Sequence, residues 1–333
     1  MKLIIPMAGM GKRMRPHTLT VPKPLIKVAG KSIVERLIYK LADFVNEPIT
    51  DIAFIISNFG LEVEQYLVDL AAQFNAKAHL VYQDQPLGTA HAVHCAKELL
   101  QGPVIVAFAD TLFLADNKLD QNADSLIWVN EVEDPSQFGV VITDTENRVV
   151  SFVEKPKSFV SNKAIIGIYY FKYGENLLKE INHIIDNNLR GNNEYQLTDA
   201  LELLKNNGTV FKTTSVNEWL DCGNKNATVY TNGRIVNSLS ASERKQFDAD
   251  IVNSVIIEPC YFGKNVKILN SVVGPNVSLE NNVYIENSIV NNAMINSNSV
   301  LSAANIRNSM IGSNVEYRGT MDDLNIGDFT QIL

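Results

Sequence analysis

Lys2-Leu3-Ile4-Ile5-Pro6-Met7-Ala8-Gly9-Met10-Gly11-Lys12-Arg13-Met14-Arg15-Pro16 sets an apolar run directly against a glycine-rich, basic loop. A short apolar run that ends in turn residues reads as a buried strand, here Lys2–Met7. The two glycines after it let a backbone come close to a phosphate with N–H groups aimed at its oxygens. Arg13, Arg15 and, further on, Lys23 in Pro22-Lys23-Pro24-Leu25 bring three cations towards the same place. Two better-known phosphate loops are excluded. Gly9-Met10-Gly11 lacks the third glycine of a dinucleotide-binding turn, and Gly30-Lys31-Ser32 lacks the earlier glycine that a P-loop needs.

Outward from this loop, apolar runs alternate with helical patterns. Strands are expected at Asp51–Ile56, Ala78–Tyr82 and Val104–Ala109. Helices are expected near Ser32–Phe44, Leu61–Phe74 and Thr89–Leu100, where apolar residues recur at three- and four-residue intervals. Strands that alternate with helices in this way build a mainly parallel α/β sheet with helices on both faces. Ligands of such sheets sit beyond the carboxyl ends of the strands, so the loops after Met7 and Ala109 are the first places to look. Asp110 is read as ending the fourth strand, where a carboxylate has no packing role.

Beyond about Asn237 helical periodicity vanishes, asparagine becomes frequent and a six-residue spacing takes over. Val277, Val283, Ile289 and Ile295 stand six apart, and so do the pairs Val266/Val272, Leu279/Ile285 and Val300/Ile306. That period, with small or polar residues between, marks a parallel β-helix whose coils need their neighbours to bury an apolar face. The expected division is residues 1–235 and 236–333, with the junction in 231–250. Self-association through the β-helix is expected, with the tail residues Leu324, Ile326, Phe329, Ile332 and Leu333 as a cap or subunit contact.

Composition narrows the classes. A length of 333 residues with 46% apolar and 20% charged side chains fits a folded chain of two domains rather than a disordered one. A net charge of −8 argues against a protein that coats nucleic acid. Cys95, Cys222 and Cys260 lack metal-type spacing and suit a reducing compartment. No stretch approaches the ~20 apolar residues of a membrane span, so no membrane partner and a cytoplasmic location are expected.

The loop and the Pro-Lys-Pro-Leu segment resemble the signature of the sugar-1-phosphate nucleotidyltransferases, an apolar strand followed by G-x-G-T-R and P-K-P-L. Lys12 stands where that family usually has threonine or serine. Further segments are similar to the family's in the same order, across residues 1 to about 230. The resemblance implies a Rossmann-like nucleotidyltransferase sheet followed by a left-handed β-helix of hexapeptide repeats. It also implies transfer of a nucleoside monophosphate from a nucleoside triphosphate to a sugar 1-phosphate. Ala8, Gly9, Gly11, Arg13, Gln83, Gly88 and Thr89 would bind the nucleotide, with Gln83 and the Gly88 backbone reading a pyrimidine edge. Asp110 and Asp221, in Trp219-Leu220-Asp221-Cys222-Gly223, would hold Mg²⁺, a hard cation that suits carboxylate and phosphate oxygens. Gly139, Glu154, Lys155, Gly167, Glu194 and Trp219 would hold the sugar phosphate. Arg13, Lys23, Asp110, Lys155 and Asp221 form the implied catalytic set. His91 lies one turn into a helix and receives no chemistry.

Two other functions compete. An acyltransferase β-helix would want a histidine base, but all five histidines, His17, His79, His91, His94 and His183, precede residue 190. A non-catalytic regulatory subunit should have lost charged residues that are all present. For the substrate, Leu87-Gly88-Thr89-Ala90-His91 resembles the branches that use UTP or dTTP. In the relatives that use N-acetylglucosamine an asparagine precedes the matching segment, whereas Ala164-Ile165-Ile166 before Gly167 is apolar, so the resemblance favours glucose or another hexose.

Overall fold

The computed structural model describes residues 1–116, 118–191, 193–244 and 249–320. The chain forms two compact units: Met1–Ile26 with Ser32–Asn224, and Lys27–Lys31 with the chain from Lys225 on. Among the described residues no helix is long and apolar enough to cross a membrane.

Among the described residues, the first unit is built on a mixed sheet of nine strands. Strands β1 (Lys2–Pro6), β2 (Asp51–Ile56), β3 (Lys77–Tyr82) and β4 (Val104–Ala107) are joined by helices α1 (Ile33–Phe44), α2 (Leu61–Ala72) and α3 (Thr89–Cys95). β1 pairs in parallel with β2 on one side and β4 on the other, and β2 pairs in parallel with β3. The parallel strands therefore run β4-β1-β2-β3, and chain progression reverses direction beside β1. Such a reversal opens a crevice at the carboxyl ends of the flanking strands.

Local chemistry explains these elements. Leu3, Ile4 and Ile5 are fully buried in consecutive positions, as a strand covered on both faces requires. α1 buries Ile33, Val34, Leu37, Ile38, Leu41 and Phe44 on one stripe, and the Ser32 side chain caps it by accepting from the Glu35 N–H at 3.1 Å. α3 is shorter than expected. Regular helix stops at Cys95, and a 3₁₀ turn over Lys97–Leu99 continues the chain.

After β4 the chain makes β5 (Thr111–Leu114), β6 (Ser125–Glu131), β7 (Gly139–Thr143), β8 (Val149–Glu154) and β9 (Lys163–Phe171). β9 pairs antiparallel with β4, β6 and β7, and β7 with β8, so this half of the sheet is largely antiparallel. Helices α4 (Gly174–Asp186) and α5 (Leu197–Asn206) follow, then β10 (Phe211–Ser215) and β11 (Glu218–Asp221). β10 joins β6 in parallel, while β11 and β5 form a separate antiparallel ribbon.

In the second unit, helix α6 (Lys225–Ser238) packs with a stack of short parallel strands. Residues Lys27–Lys31 belong here because the Ala29 N–H donates to Asn232 Oδ1 at 3.1 Å and the Gly30 N–H to Glu280 Oε1 at 2.8 Å. Lys267–Leu269, Tyr284–Glu286, Val300–Ser302 and Glu316–Arg318 stack in parallel as one wall of a β-helix. Ile268, Ile285 and Leu301 form a fully buried column, while Ile251 and Tyr317 at its two ends are 42% and 44% exposed. Each coil thus depends on its neighbours.

The expected six-residue row holds only in part. Val277, Val283 and Ile295 are buried, but Ile289 is 51% exposed and Val300 is 37% exposed. The reason is the coil length. Lys267 pairs with Tyr284, Tyr284 with Val300 and Val300 with Glu316, steps of 17, 16 and 16 residues rather than three sixes. The one or two residues missing from each coil shift the inward phase, so Val290 rather than Ile289 faces the core. The apolar tail residues named above lie outside the described residues.

Asparagine is frequent here because the corners need the left-handed backbone. Asn265, Asn282, Asn298 and Asn314 have φ of 54°, 59°, 60° and 57° and stack in register. Their amides link at 3.0, 2.8 and 3.1 Å, each Nδ2 donating to the next Oδ1. Asparagine tolerates this conformation better than other side chains with a Cβ. Asn282→Ala keeps the left-handed strain and removes two links, so a loss of about 1–2 kcal/mol is expected. Asn282→Gly removes the links without the strain and should cost less. Urea unfolding with an unchanged m-value checks both; an alanine variant as stable as wild type would show that the ladder contributes nothing.

Candidate functional site

The loop after β1 leaves the strand at Met7, whose N–H still bonds to Ile55 O at 2.8 Å. Gly11 then adopts φ 56° at the start of a 3₁₀ turn over Lys12–Met14. A Cβ there would lie 3.0 Å from Lys23 Cβ and 3.0 Å from Thr18 Cγ2. Gly11 therefore lets the loop lie against the Lys23 segment. Lys23 is buried, and its ammonium donates to Asp110 Oδ2 at 2.9 Å.

Asp110 does not end a strand. β4 stops at Ala107, although the Phe108 N–H still reaches Gly167 O on β9 at 2.9 Å and the Ala109 N–H still reaches Pro6 O on β1 at 3.3 Å. Asp110 occupies the turn before β5. The β5–β11 ribbon pairs Asp221 with Thr111, and the Cys222 N–H bonds to Asp110 O at 3.0 Å. The register thus makes Asp221 and Asp110 neighbours across 111 residues of sequence. Burial first, and the Asp110 charge second, push the Asp221 carboxyl above the usual carboxylate range, against the pull of Lys23, the Gly223 N–H and Arg13.

Two adjoining cavities open at this point, of about 250 and 400 Å³. The first is lined by Ala8, Gly9, Lys23, Gln83, Gly88, Thr89, Asp110 and Glu194 among others. The second is lined by Arg13, Thr89, Asp110, Gly139, Glu154, Lys155, Gly167, Trp219 and Asp221 among others. Thr89, Phe108 and Asp110 border both. Of the residues singled out in the sequence, Gly11 lines neither cavity and acts through the loop. Arg15 also lines neither. Two residues change sides: Arg13, expected with the nucleotide residues, lines the second cavity, and Glu194, expected with the sugar-phosphate residues, lines the first.

Gly88 leads into α3 with φ 122°, and a Cβ on it would fall 2.4 Å from Tyr195 O. No side chain fits there. In the second cavity, Glu154 Oε2 accepts from Thr198 Oγ1 at 3.0 Å, and its other oxygen lies 3.6 Å from Lys155 Nζ. Lys155 has φ 43° although Pro156 follows, a backbone that both its Cβ and the proline disfavour. Its N–H is held by Phe138 O at 3.1 Å. Strain held in this way keeps an exposed lysine at the mouth of the cavity. Phe138 packs edge-on to Trp219 at 4.9 Å, and Trp219 Nε1 is buried with no hydrogen-bond partner in the described residues.

Sequence reasoning missed Gln137, Gln196, Thr198 and Asn224, which also line the second cavity. The signal for two of them lies in Glu194-Tyr195-Gln196-Leu197-Thr198-Asp199, where polar side chains alternate with apolar ones as the chain enters α5.

The residues also suit a metal. Among the described residues no group of three or more His, Cys, Asp or Glu side chains could hold one. Asp110 and Asp221 supply two hard oxygen donors, and the remaining ligands would have to be phosphate oxygens and water, which is how Mg²⁺ is commonly bound. The charge that Asp221 feels from Asp110 is the kind a cation would relieve.

A glycine loop, a carboxylate turn and two joined cavities thus meet at the switch point of an α/β sheet, where ligands of such sheets commonly sit. Residues 2–237 match the nucleotidyl transferase family, and the chain belongs to that family. It is 31% identical over 267 residues to the bifunctional protein GlmU of Methanococcus maripaludis, an alignment that covers 78% of this chain and 60% of that protein. To the glucose-1-phosphate thymidylyltransferase of Streptomyces antibioticus it is 29% identical over 302 residues, covering 82% of this chain and 81% of that one. A solved UDP-glucose pyrophosphorylase from Acinetobacter baumanii shares the fold with a TM-score of 0.59 at 22% identity, covering 72% of this chain and 94% of that one. The chain spans about 60% of the length of the GlmU proteins it matches.

Proposed function

We propose that the protein transfers a nucleoside monophosphate from UTP or dTTP to a hexose 1-phosphate, with glucose 1-phosphate the favoured acceptor, and releases pyrophosphate. The observation that carries this reading is the pair of cavities that meet at Asp110. The glycine loop, Gln83 and Gly88 border one, and Glu154, Lys155 and Gly139 border the other. Family membership, and the activity that the Streptomyces antibioticus relative is named for, support the same reaction class.

The chemistry is in-line attack of a sugar-phosphate oxygen on the α-phosphorus, with pyrophosphate as leaving group. Such a step needs little proton transfer. It needs two anions aligned against their repulsion and charge stabilised as it builds on the bridging oxygen. Lys23 and Lys155 would approach the reacting phosphates from the two sides, with Lys155 on the sugar phosphate. Arg13 would meet the leaving pyrophosphate, since its planar fork suits phosphate oxygens. Asp110 and Asp221 would hold Mg²⁺, which when bound neutralises phosphate charge. Ile165 and Ile166 line the second cavity and offer nothing polar to an N-acetyl group. Pyrophosphate release across a grid of triphosphates and sugar phosphates tests the whole reading. UTP or dTTP with glucose 1-phosphate should lead, and no release with any pair would overturn it.

The β-helix is proposed to assemble subunits. Val255, Ile257, Ile289 and Val300 expose between 37% and 57% of their surface on its outside, which supports self-association. Light scattering at micromolar concentration should give a mass of at least two chains, and a clean monomer would sink the idea.

A further inference from the structure

Gln83 follows β3 and lines the first cavity. Its Nε2 lies 3.2 Å from Gly88 O and 3.1 Å from His91 Nδ1. A backbone carbonyl can only accept, so the atom facing Gly88 O must be the amide nitrogen. The same nitrogen then donates its second hydrogen to His91, which fixes Nδ1 as the acceptor and puts the ring proton on Nε2. Burial, and secondarily His94, push the His91 imidazole below its ordinary range, which keeps that lone pair available. The fold supplies the geometry. Gly88 O also accepts the Ala92 N–H in the first turn of α3, and His91 stands on that turn.

We infer that His91 is a positioning residue that locks the Gln83 amide with its oxygen, Oε1, presented to the nucleobase. Both amide hydrogens are committed to the protein, so Gln83 offers an acceptor and no donor. Uracil and thymine present an N3–H donor on their pairing edge, whereas cytosine presents a lone pair at N3. The locked amide therefore accepts the first two and repels the third. Without His91, Gly88 O is the one partner of the amide among the described residues, and the second hydrogen becomes free to turn as a donor towards the cytosine N3 lone pair. The inference rests on the reading of Gln83 as the base-contacting side chain.

The test uses the full-length protein, thermal melting and calorimetric titration with UTP and CTP. Wild type should prefer UTP. Gln83→Ala should lose that preference. His91→Leu, which keeps bulk and loses the acceptor, should cut the UTP-over-CTP preference by about tenfold with a melting point close to wild type. His91→Asn, whose amide oxygen can replace Nδ1 as acceptor, should restore most of it. The inference is overturned if His91→Leu keeps the preference within about twofold while Gln83→Ala loses it. Equal losses in the leucine and asparagine variants would make the role one of packing and overturn it as well. If Gln83→Ala itself keeps the wild-type preference, the base-contact reading falls, and the inference falls with it.

Discussion

Asp110→Asn and Asp221→Asn should each lower turnover by on the order of a thousandfold, because each removes one of only two carboxylates proposed to hold Mg²⁺ against the phosphates. The two variants should part company in stability. Asp110 is the carboxylate against buried Lys23, at 2.9 Å. Replacing it leaves a buried ammonium facing a neutral amide, so the metal-free protein should melt at a lower temperature. Asp221 is the opposite case. Burial and the Asp110 charge both disfavour its ionised form. Its neutral isostere removes a repulsion, and the metal-free protein should melt at or above the wild-type temperature while turnover is lost. An active site that sacrifices stability for a charge cluster behaves in this way. Near-normal Mg²⁺-dependent turnover in either variant would remove that residue from the site. Equal melting losses in both would show that the carboxylates are packed as structural partners instead.

That pairing shows what the sequence could and could not tell. Val104–Ala107 announces itself as a buried strand because four consecutive apolar residues allow little else. The loops at the carboxyl ends of β1 and β4 follow from the alternation of strands and helices alone. The partnership of Asp110 with Asp221 does not. It depends on the register of the β5–β11 ribbon, and each of those strands has only four residues with no local pattern to announce its partner. The antiparallel half of the sheet is hidden for the same reason, since β9 pairs with β4, β6 and β7 over long sequence separations. Joining Lys27–Lys31 to the second unit is likewise non-local, resting on Asn232 and Glu280 far along the chain.

In the β-helix the period was legible and the phase was not. A spacing of six counts three equal faces, but coils of 17 and 16 residues drop residues at the corners, and only pairing reveals which position turns inward. Ile289 and Val290 are adjacent apolar residues, so composition could not choose between them. Similarly, His91 on a short helix carried no signal for a role. Its relation to Gln83 arises because Gly88 folds the segment back upon the first turn of α3.

Arg13→Ala should lower kcat by about a hundredfold or more, with a change of only a few-fold in KM for the sugar phosphate. Arg13 is exposed in its loop and lines the second cavity, whereas Lys23 is buried on the first and already bound to Asp110. An exposed guanidinium gains little from a ground-state phosphate that water also solvates. Its contribution must grow as negative charge builds on the oxygen that leaves with pyrophosphate, and interactions that strengthen in the transition state appear in kcat. Arg13→Lys should recover only part of the loss, since an ammonium keeps the charge and lacks the two-pronged geometry. Steady-state kinetics with each substrate varied in turn separates the cases. An unchanged kcat with a raised KM for the triphosphate would make Arg13 a ground-state binder, and full activity in the lysine variant would show that charge alone matters at that position.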